Sequence, residues 1–294
     1  MAVLGPGLIG GSLLRAVRQR TPSVELRAWA RREASVEELR SHAGLVDLAT
    51  GDLDEAVAGA DCVVLAMPTG HMADVVGRIA AFASVDGAPA LVTDVGSVKG
   101  PVVREIGPLV RERGGCFLGS HPMAGSEKKG LAFAEAGLFD GAAVILTPEP
   151  GDEARVPALQ RFWEQLGGVV SIIEPAVHDE LVAGISHLPH LVAAALVRSV
   201  LGRQPDSVEL SGGGFRDTTR VAGGPEEMWS GILADNAPAV SAQLGQFIEE
   251  LRSWKEALDL LDRDRLISLL SEARRLRGTL PDPGKRSPLS RRDV

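Results

Sequence analysis

The sequence predicts an α/β protein: a doubly wound N-terminal sheet followed by an all-α C-terminal domain. Three observations predict it. Short apolar runs alternate with helix-period segments through Glu174, the pattern of parallel strands joined by crossover helices. A glycine-rich turn joins the first run to the first helical segment. Beyond Glu174, apolar residues recur at helical spacing with no strand-like run between them.

In chain order, the expected strands are Ala2–Leu4, Glu25–Trp29, Cys62–Ala66, Ala90–Thr93, Cys116–Gly119, Ala143–Leu146 and Val169–Ile173. Helix-period segments such as Ile9–Arg18, Met72–Phe82 and Pro157–Leu166 lie between them. The C-terminal helices are expected over His178–Leu201, Met228–Leu251 and Arg263–Leu276. This gives a nucleotide-binding-type domain over 1–174, a helical domain over 175–277 and a Pro-rich, polar tail over 278–294 read as disordered. Long apolar helices without strands bury a face against a partner, so a homodimer through the helical domain is expected.

Composition removes several function classes. With 31 Lys+Arg against 39 Asp+Glu, the net charge is −8, which argues against nucleic acid or an anionic membrane surface as partner. No run of consecutive apolar residues reaches the roughly 18 of a membrane span. The N-terminus lacks the basic flank of a signal peptide. Two cysteines, Cys62 in an apolar run and Cys116, fit a reducing cytoplasm better than a disulfide framework. There is no Tyr, so no phenol serves catalysis.

Gly5, Gly7 and Gly10 form G-x-G-x-x-G between a strand and a helix. The first permits the tight turn, the second lets the backbone approach a pyrophosphate, and the third lets helix and strand pack closely. The anion then rests on the helix N-terminus. This is a Rossmann-type signature. Its candidate cofactor-binding residues are Gly5, Gly7, Leu8, Ile9 and Gly10, with Ala66, Met67 and Pro68 after the Cys62 run. The second strand should end on Asp or Glu if the cofactor is NAD. Here Ala30 stands there, followed by Arg31 and Arg32, which suit a 2′-phosphate. NADP is therefore expected, with NAD as the alternative. In that alternative the arginines are solvated and Glu25 or Glu33 supplies the acid.

Four segments, GPGLIGGS (5–12), DVGSVKG (94–100), GSHPMAGSEKKG (119–130) and ISHLPH (185–190), with GGGFRDTTRVA (212–222) after them, resemble the prephenate/arogenate dehydrogenase family of tyrosine biosynthesis. The resemblance runs from residue 1 to 277. It implies hydride transfer from C4 of a cyclohexadiene to a nicotinamide, with loss of the C1 carboxylate as CO2 and no metal. Prephenate is the expected substrate and arogenate the alternative.

By this resemblance His121 withdraws the proton of the C4 hydroxyl, and Ser97 orients its ring. A neutral imidazole suits the task because its pKa lies near working pH. His190 faces the substrate and His187 supports it. These two are spaced i,i+3, with Pro189 between them, and the metalloprotease pattern that would make them metal ligands is absent. Arg220 matches the arginine that binds the side-chain carboxylate through a bidentate fork. Asp217, three residues earlier, is placed to hold Arg220 or a neighbouring His. Ser126 and Glu127 match positions at the pocket mouth.

Two other classes fit the sequence less well. β-Hydroxyacid dehydrogenases share the layout but call for a lysine on the first long helix of the second domain, and His178–Leu201 contains none. A non-catalytic dinucleotide sensor would have no use for His121, Ser97, His190 and Arg220 together.

Overall fold

The chain's short apolar runs become six parallel strands in the order β3-β2-β1-β4-β5-β6: β1 (Ala2–Leu4), β2 (Arg27–Trp29), β3 (Leu48–Thr50), β4 (Cys62–Leu65), β5 (Leu91–Asp94) and β6 (Cys116–Phe117). The computed structural model describes residues 1–126, 128–281 and 287–289. Leu4 pairs with Trp29 on one side and Leu65 on the other, so β1 lies at the point where the strand order reverses. Ligands of open α/β sheets bind beyond the strand C-termini at that point.

Alternation along the strands explains why helices cover both faces. Val3, Ala28 and Val64 join one buried cluster with Leu13, Leu14, Val36, Phe139 and Trp163. Ala2, Leu4, Trp29, Val63 and Leu65 join the other, with Leu53, Val76, Phe82, Ile106 and Phe117. Neighbouring residues of one strand thus face opposite layers, as the pleat requires. Each fully buried Leu, Val or Phe contributes roughly 1.5–3 kcal/mol. The helices are α1 (Leu8–Arg20), α2 (Glu33–Ser41), α3 (Leu53–Val57), α4 (Met72–Arg78) and α5 (Gly100–Glu112).

The single sheet suggested by the strand pattern is in fact two. The run Cys116–Gly119 divides at Leu118, whose N–H still bonds Val92 O at 2.9 Å. From there β7 (Gly119–Pro122), β8 (Ala143–Thr147) and β9 (Val169–Ile172) form a separate three-stranded sheet, with β7 antiparallel to β8. α6 (Val156–Gln165) joins β8 to β9, which pair in parallel. Strand β3 is absent from the expected strands: it is as short as β1 but has no glycine motif beside it to mark it.

The chain divides into two compact units. The first comprises Met1–Asp179, Gly223–Asp235 and a C-terminal stretch whose described residues are Ser287–Leu289; the second comprises Glu180–Ala222 and, among the described residues, 236–281. Of the tail anticipated over 278–294, residues 282–286 and 290–294 lie outside the described residues, and Leu289 N–H donates to Ser171 Oγ at 2.9 Å.

The helices after β9 are α7 (Pro175–Val182), α8 (Leu188–Leu201), α9 (Gly213–Thr219), α10 (Glu226–Asp235), α11 (Ala237–Asp259) and α12 (Arg263–Arg277). Between α7 and α8, residues Ala183–His187 form a π-helical turn. Pro189 explains it locally, because its missing N–H removes the ordinary i→i−4 bond to Ile185. The segment expected as one helix over Met228–Leu251 breaks at Asn236, where Pro238 sits in the first turn of α11. The helical run Pro175–Leu201 is long and apolar enough to cross a membrane by length and composition alone, with mean hydropathy 1.5. Ile185 within it is 68% exposed.

Candidate active site

The glycine turn has the geometry its residues dictate. Gly5 sits at φ +100°, where a side chain is strained, and a Cβ there would lie 2.9 Å from Ala66 O. A Cβ on Gly10 would overlap the carbonyl oxygen of Gly5. A Cβ on Gly7 would meet nothing within 4 Å. Gly7 is also the N-cap of α1, with no side-chain cap and no acidic residue in the first turn. The first N–H groups of α1 therefore lack an acceptor from a side chain, and open space lies at the glycine in front of them. That cradle fits a dinucleotide pyrophosphate. Ala66 N–H bonds Leu4 O at 2.8 Å, which brings Ala66, Met67 and Pro68 beside the turn. Leu8 and Ile9 are half-buried in the first turn of α1. A Cβ on Gly125 would lie 3.8 Å from Ile9 Cδ1, so the HPMAGS loop runs past the same turn.

Ala30 is buried directly after β2, while Arg31 and Arg32 are exposed. Neither arginine enters an ion pair among the described residues.

His121 is buried on β7, opposite Ile145. Its Nδ1 lies 2.8 Å from His178 Nε2. His178 Nδ1 in turn lies 2.8 Å from Asp179 Oδ1. Asp179 also accepts the backbone N–H groups of Lys99 at 2.7 Å and Gly100 at 2.8 Å, so it caps α5 from a distant part of the chain. A carboxylate is favoured at a helix N-terminus. Burial pushes the Asp179 pKa up, but the His178 bond and the two N–H donors together hold it below the usual carboxylate value. Burial pushes the His178 pKa down, against the pull of Asp179.

Asp94, at the end of β5, organises the other side of this network. It accepts Gly96 N–H at 2.8 Å and Ser120 N–H at 3.2 Å, and it pairs with the ammonium of Lys99. Lys99 Nζ also donates to Ser120 O at 2.9 Å. Both partners of the Asp94–Lys99 pair are fully buried. Burial lowers the Lys99 pKa, and Asp94 opposes that shift. Ser120, the neighbour of His121, is thereby fixed at its N–H, its carbonyl and its hydroxyl, which donates to Asp94 O at 2.6 Å.

Ser97 is half-buried in the loop after β5, and among the described residues its hydroxyl makes no hydrogen bond; the ring of His121 is held by His178. Ser126 is exposed and accepts Lys128 N–H at 3.2 Å. Glu127 lies outside the described residues. Sequence reading did not single out Asp94, Lys99, His178 or Asp179 as site residues. The first two stand in DVGSVKG, and the His-Asp doublet opening the apolar helix was the available signal for the others.

The second unit carries its own group. His187 is buried in the π turn, where the Asn236 amide donates to its Nδ1 at 3.1 Å. His190 is buried on α8, and burial lowers its pKa, opposed by a bond to the Val221 backbone. That bond brings Arg220, the residue before Val221, near His190 in the fold. Arg220 is exposed just after α9, and among the described residues neither it nor Asp217 forms an ion pair. No group of three or more His, Cys, Asp or Glu among the described residues is arranged to hold a metal ion.

The Asp179 linkage has a measurable consequence. Its folded pKa lies below its unfolded value, so its contribution to stability is present above the ordinary carboxylate pKa of 3.8 and is lost as pH falls through the folded value. Urea unfolding of Asp179→Asn should show a stability deficit at neutral pH that shrinks as pH drops below 3.8. A deficit independent of pH would show that the carboxylate's charge is not what stabilises this site.

Comparison with known proteins converges on one group. Residues 13–172 match the prephenate dehydrogenase nucleotide-binding domain, and residues 174–272 match the prephenate dehydrogenase dimerization domain. A cyclohexadienyl dehydrogenase of Zymomonas mobilis is 33% identical over 94% of this chain and 94% of its own length. The crystal structure of Aquifex aeolicus prephenate dehydrogenase in complex with hydroxyphenyl propionate and NAD+ superposes with a TM-score of 0.85 at 31% identity, covering 94% of this chain and 96% of that one. Synechocystis arogenate dehydrogenase gives a TM-score of 0.77 at 30% identity, over 94% and 98% of the two chains. The glycine cradle matches a nicotinamide dinucleotide cofactor, the helical half matches a dimerization domain, and with matches spanning both halves this chain belongs to the prephenate dehydrogenase family of oxidoreductases.

Proposed function

We propose that this protein converts prephenate to 4-hydroxyphenylpyruvate and CO2, using NADP. The observation that carries the reading is His121: a buried, hydrogen-bonded imidazole on the strand leading into a loop that runs past the cofactor turn. A nicotinamide bound at this turn supplies the hydride acceptor. His121 takes the proton of the C4 hydroxyl as the C4–H hydride leaves. The C1–carboxylate bond then breaks, its electron pair completes the aromatic ring, and His121 returns the proton to the phenolate oxygen. Ser97, whose hydroxyl makes no hydrogen bond among the described residues, assists at the same hydroxyl–imidazole pair. Arg220 binds the side-chain carboxylate, since holding the ring carboxylate tightly in the ground state would oppose its loss. His190, with His187 beside it, contacts the substrate, and Ser126 and Glu127 line the entrance.

Arogenate is the second reading, favoured by the 30% identity to an arogenate dehydrogenase. We place the functional division at 1–174 and 175–277, with a homodimer formed through the helical part. The exposed Ile185 supports a covered helix face there. Two free thiols, Cys62 and Cys116, support a cytoplasmic setting.

Absorbance at 340 nm, followed with prephenate or arogenate and with each cofactor, tests the whole reading. The 2′-phosphate subsite makes it quantitative. Ala30 leaves no carboxylate there, and Arg31 and Arg32, which form no ion pair among the described residues, offer guanidinium donors. A charge-assisted contact of about 1.5–3 kcal/mol corresponds to roughly 10- to 150-fold. We expect kcat/KM to favour NADP over NAD by at least about tenfold. Ala30→Asp combined with neutral residues at Arg31 and Arg32 should reverse that order. Equal rates with both cofactors would mean that the arginines do not read the ribose.

A further inference from the structure

We infer that His178 and Asp179 are positioning residues that fix the tautomer of His121, holding its proton on Nδ1 and leaving Nε2 as the proton acceptor. The inference rests on the reading of His121 given above. Asp179 accepts two backbone N–H groups and a third bond from His178, an arrangement only a carboxylate's several lone pairs satisfy. An ionised carboxylate cannot donate, so the proton in the 2.8 Å Asp179–His178 bond belongs to His178 Nδ1. Full burial of the His178 ring disfavours a second proton on it. Its Nε2 is then a lone pair. That lone pair lies 2.8 Å from His121 Nδ1, so this bond requires the proton to be on His121 Nδ1. The bond made by one ring nitrogen decides the state of the other.

Among the described residues, the charged groups that act on His178 are Asp179, Lys99 and Asp94. Lys99 is engaged by Asp94 and Ser120, which leaves the negative charge of Asp179 facing the His178 ring. That charge favours the imidazolium formed when His121 receives its proton. Asp179 is itself anchored on the N-terminus of α5, which prevents it from following the ring. Neither residue needs to touch the substrate for this role.

The test compares His178→Leu with His178→Gln in the full-length enzyme. Gln places an amide oxygen near the position of Nε2 and keeps an N–H for Asp179, whereas Leu supplies neither. We expect His178→Leu to lower kcat by about 10- to 100-fold with KM and cofactor affinity little changed. The acid limb of log kcat/KM should move to lower pH in His178→Leu, because the His121 imidazolium has lost its acceptor. His178→Gln should recover most of the rate and return the limb toward its wild-type position. Nitrogen-15 NMR of the imidazoles gives a readout independent of turnover: neutral His121 should be protonated on Nδ1 in the wild type. A wild-type His121 protonated on Nε2 overturns the inference even if His178→Leu fails to fold. So does a His178→Leu acid limb that stays in place, or equal damage from Leu and Gln. His121→Asn separates the two levels of the argument: an unchanged kcat there defeats the catalytic reading, while the NMR result still judges the tautomer.

Discussion

Replacing His121 by Asn is expected to lower kcat by roughly 10²–10⁴-fold, the range of a lost general base. The size follows from position. The ring is buried, so bulk water has little access to replace it as base. Asn occupies the near half of the imidazole, can still bond His178, and cannot accept a proton near neutral pH. The cofactor turn lies elsewhere in the unit, built from backbone of Gly5–Gly10 and Ala66, so affinity for the dinucleotide should survive. Single-turnover kinetics with prephenate, alongside cofactor titration by fluorescence, separate the two effects. A folded variant with wild-type kcat would remove His121 from the chemistry.

Lys99→Met is expected to be the most destabilising single change at this site, at about 3–5 kcal/mol. The Met side chain fills much of the same volume but leaves Asp94 buried without its counter-charge. Asp94 keeps its bonds from Gly96 and Ser120, which cannot neutralise a full charge. Breaking a buried pair by removing one partner costs far more than the pair is worth in net stability, because an uncompensated charge remains. Adding Asp94→Asn to Lys99→Met should therefore recover part of the loss, a coupling that a double-mutant cycle in urea measures. A loss below about 1 kcal/mol would mean that Asp94 escapes its burial by protonation or by contact with water. Activity should fall along with stability, since Lys99 also holds Ser120 O one residue from His121.

The fold class was legible because it rests on periodicity and on glycines whose conformations are forced. Gly5 at φ +100° and Gly10 against the Gly5 carbonyl are positions where another residue strains the turn, so their spacing carried the message. What was not legible depended on contacts between distant segments. Nothing local in Cys116–Pro122 says that the strand changes sheets at Leu118. The cause is Asp94, twenty-six positions away from Ser120, which draws that residue in through two hydrogen bonds. Likewise His121 was legible from its motif, but its partner was not, because His178 and Asp179 stand fifty-seven or more positions further along. The family resemblance gives Ser97 the role of orienting the ring, and the bond described to its Nδ1 comes from His178.

The place of Asp179 in the chain bears on how such proteins can be recombined. The segment matched as the nucleotide-binding domain stops at residue 172, and the segment matched as the dimerization domain begins at 174. The compact unit that holds the cofactor turn nonetheless continues to Asp179. A chimera joined at residue 174 would import the donor's residues at positions 178 and 179 along with its helices. They would have to meet the recipient's Lys99–Gly100 backbone and His121 ring at hydrogen-bond distance. A junction after Asp179 carries those bonds within one parent, and chimeras of this family should keep turnover more often when cut there than when cut six residues earlier.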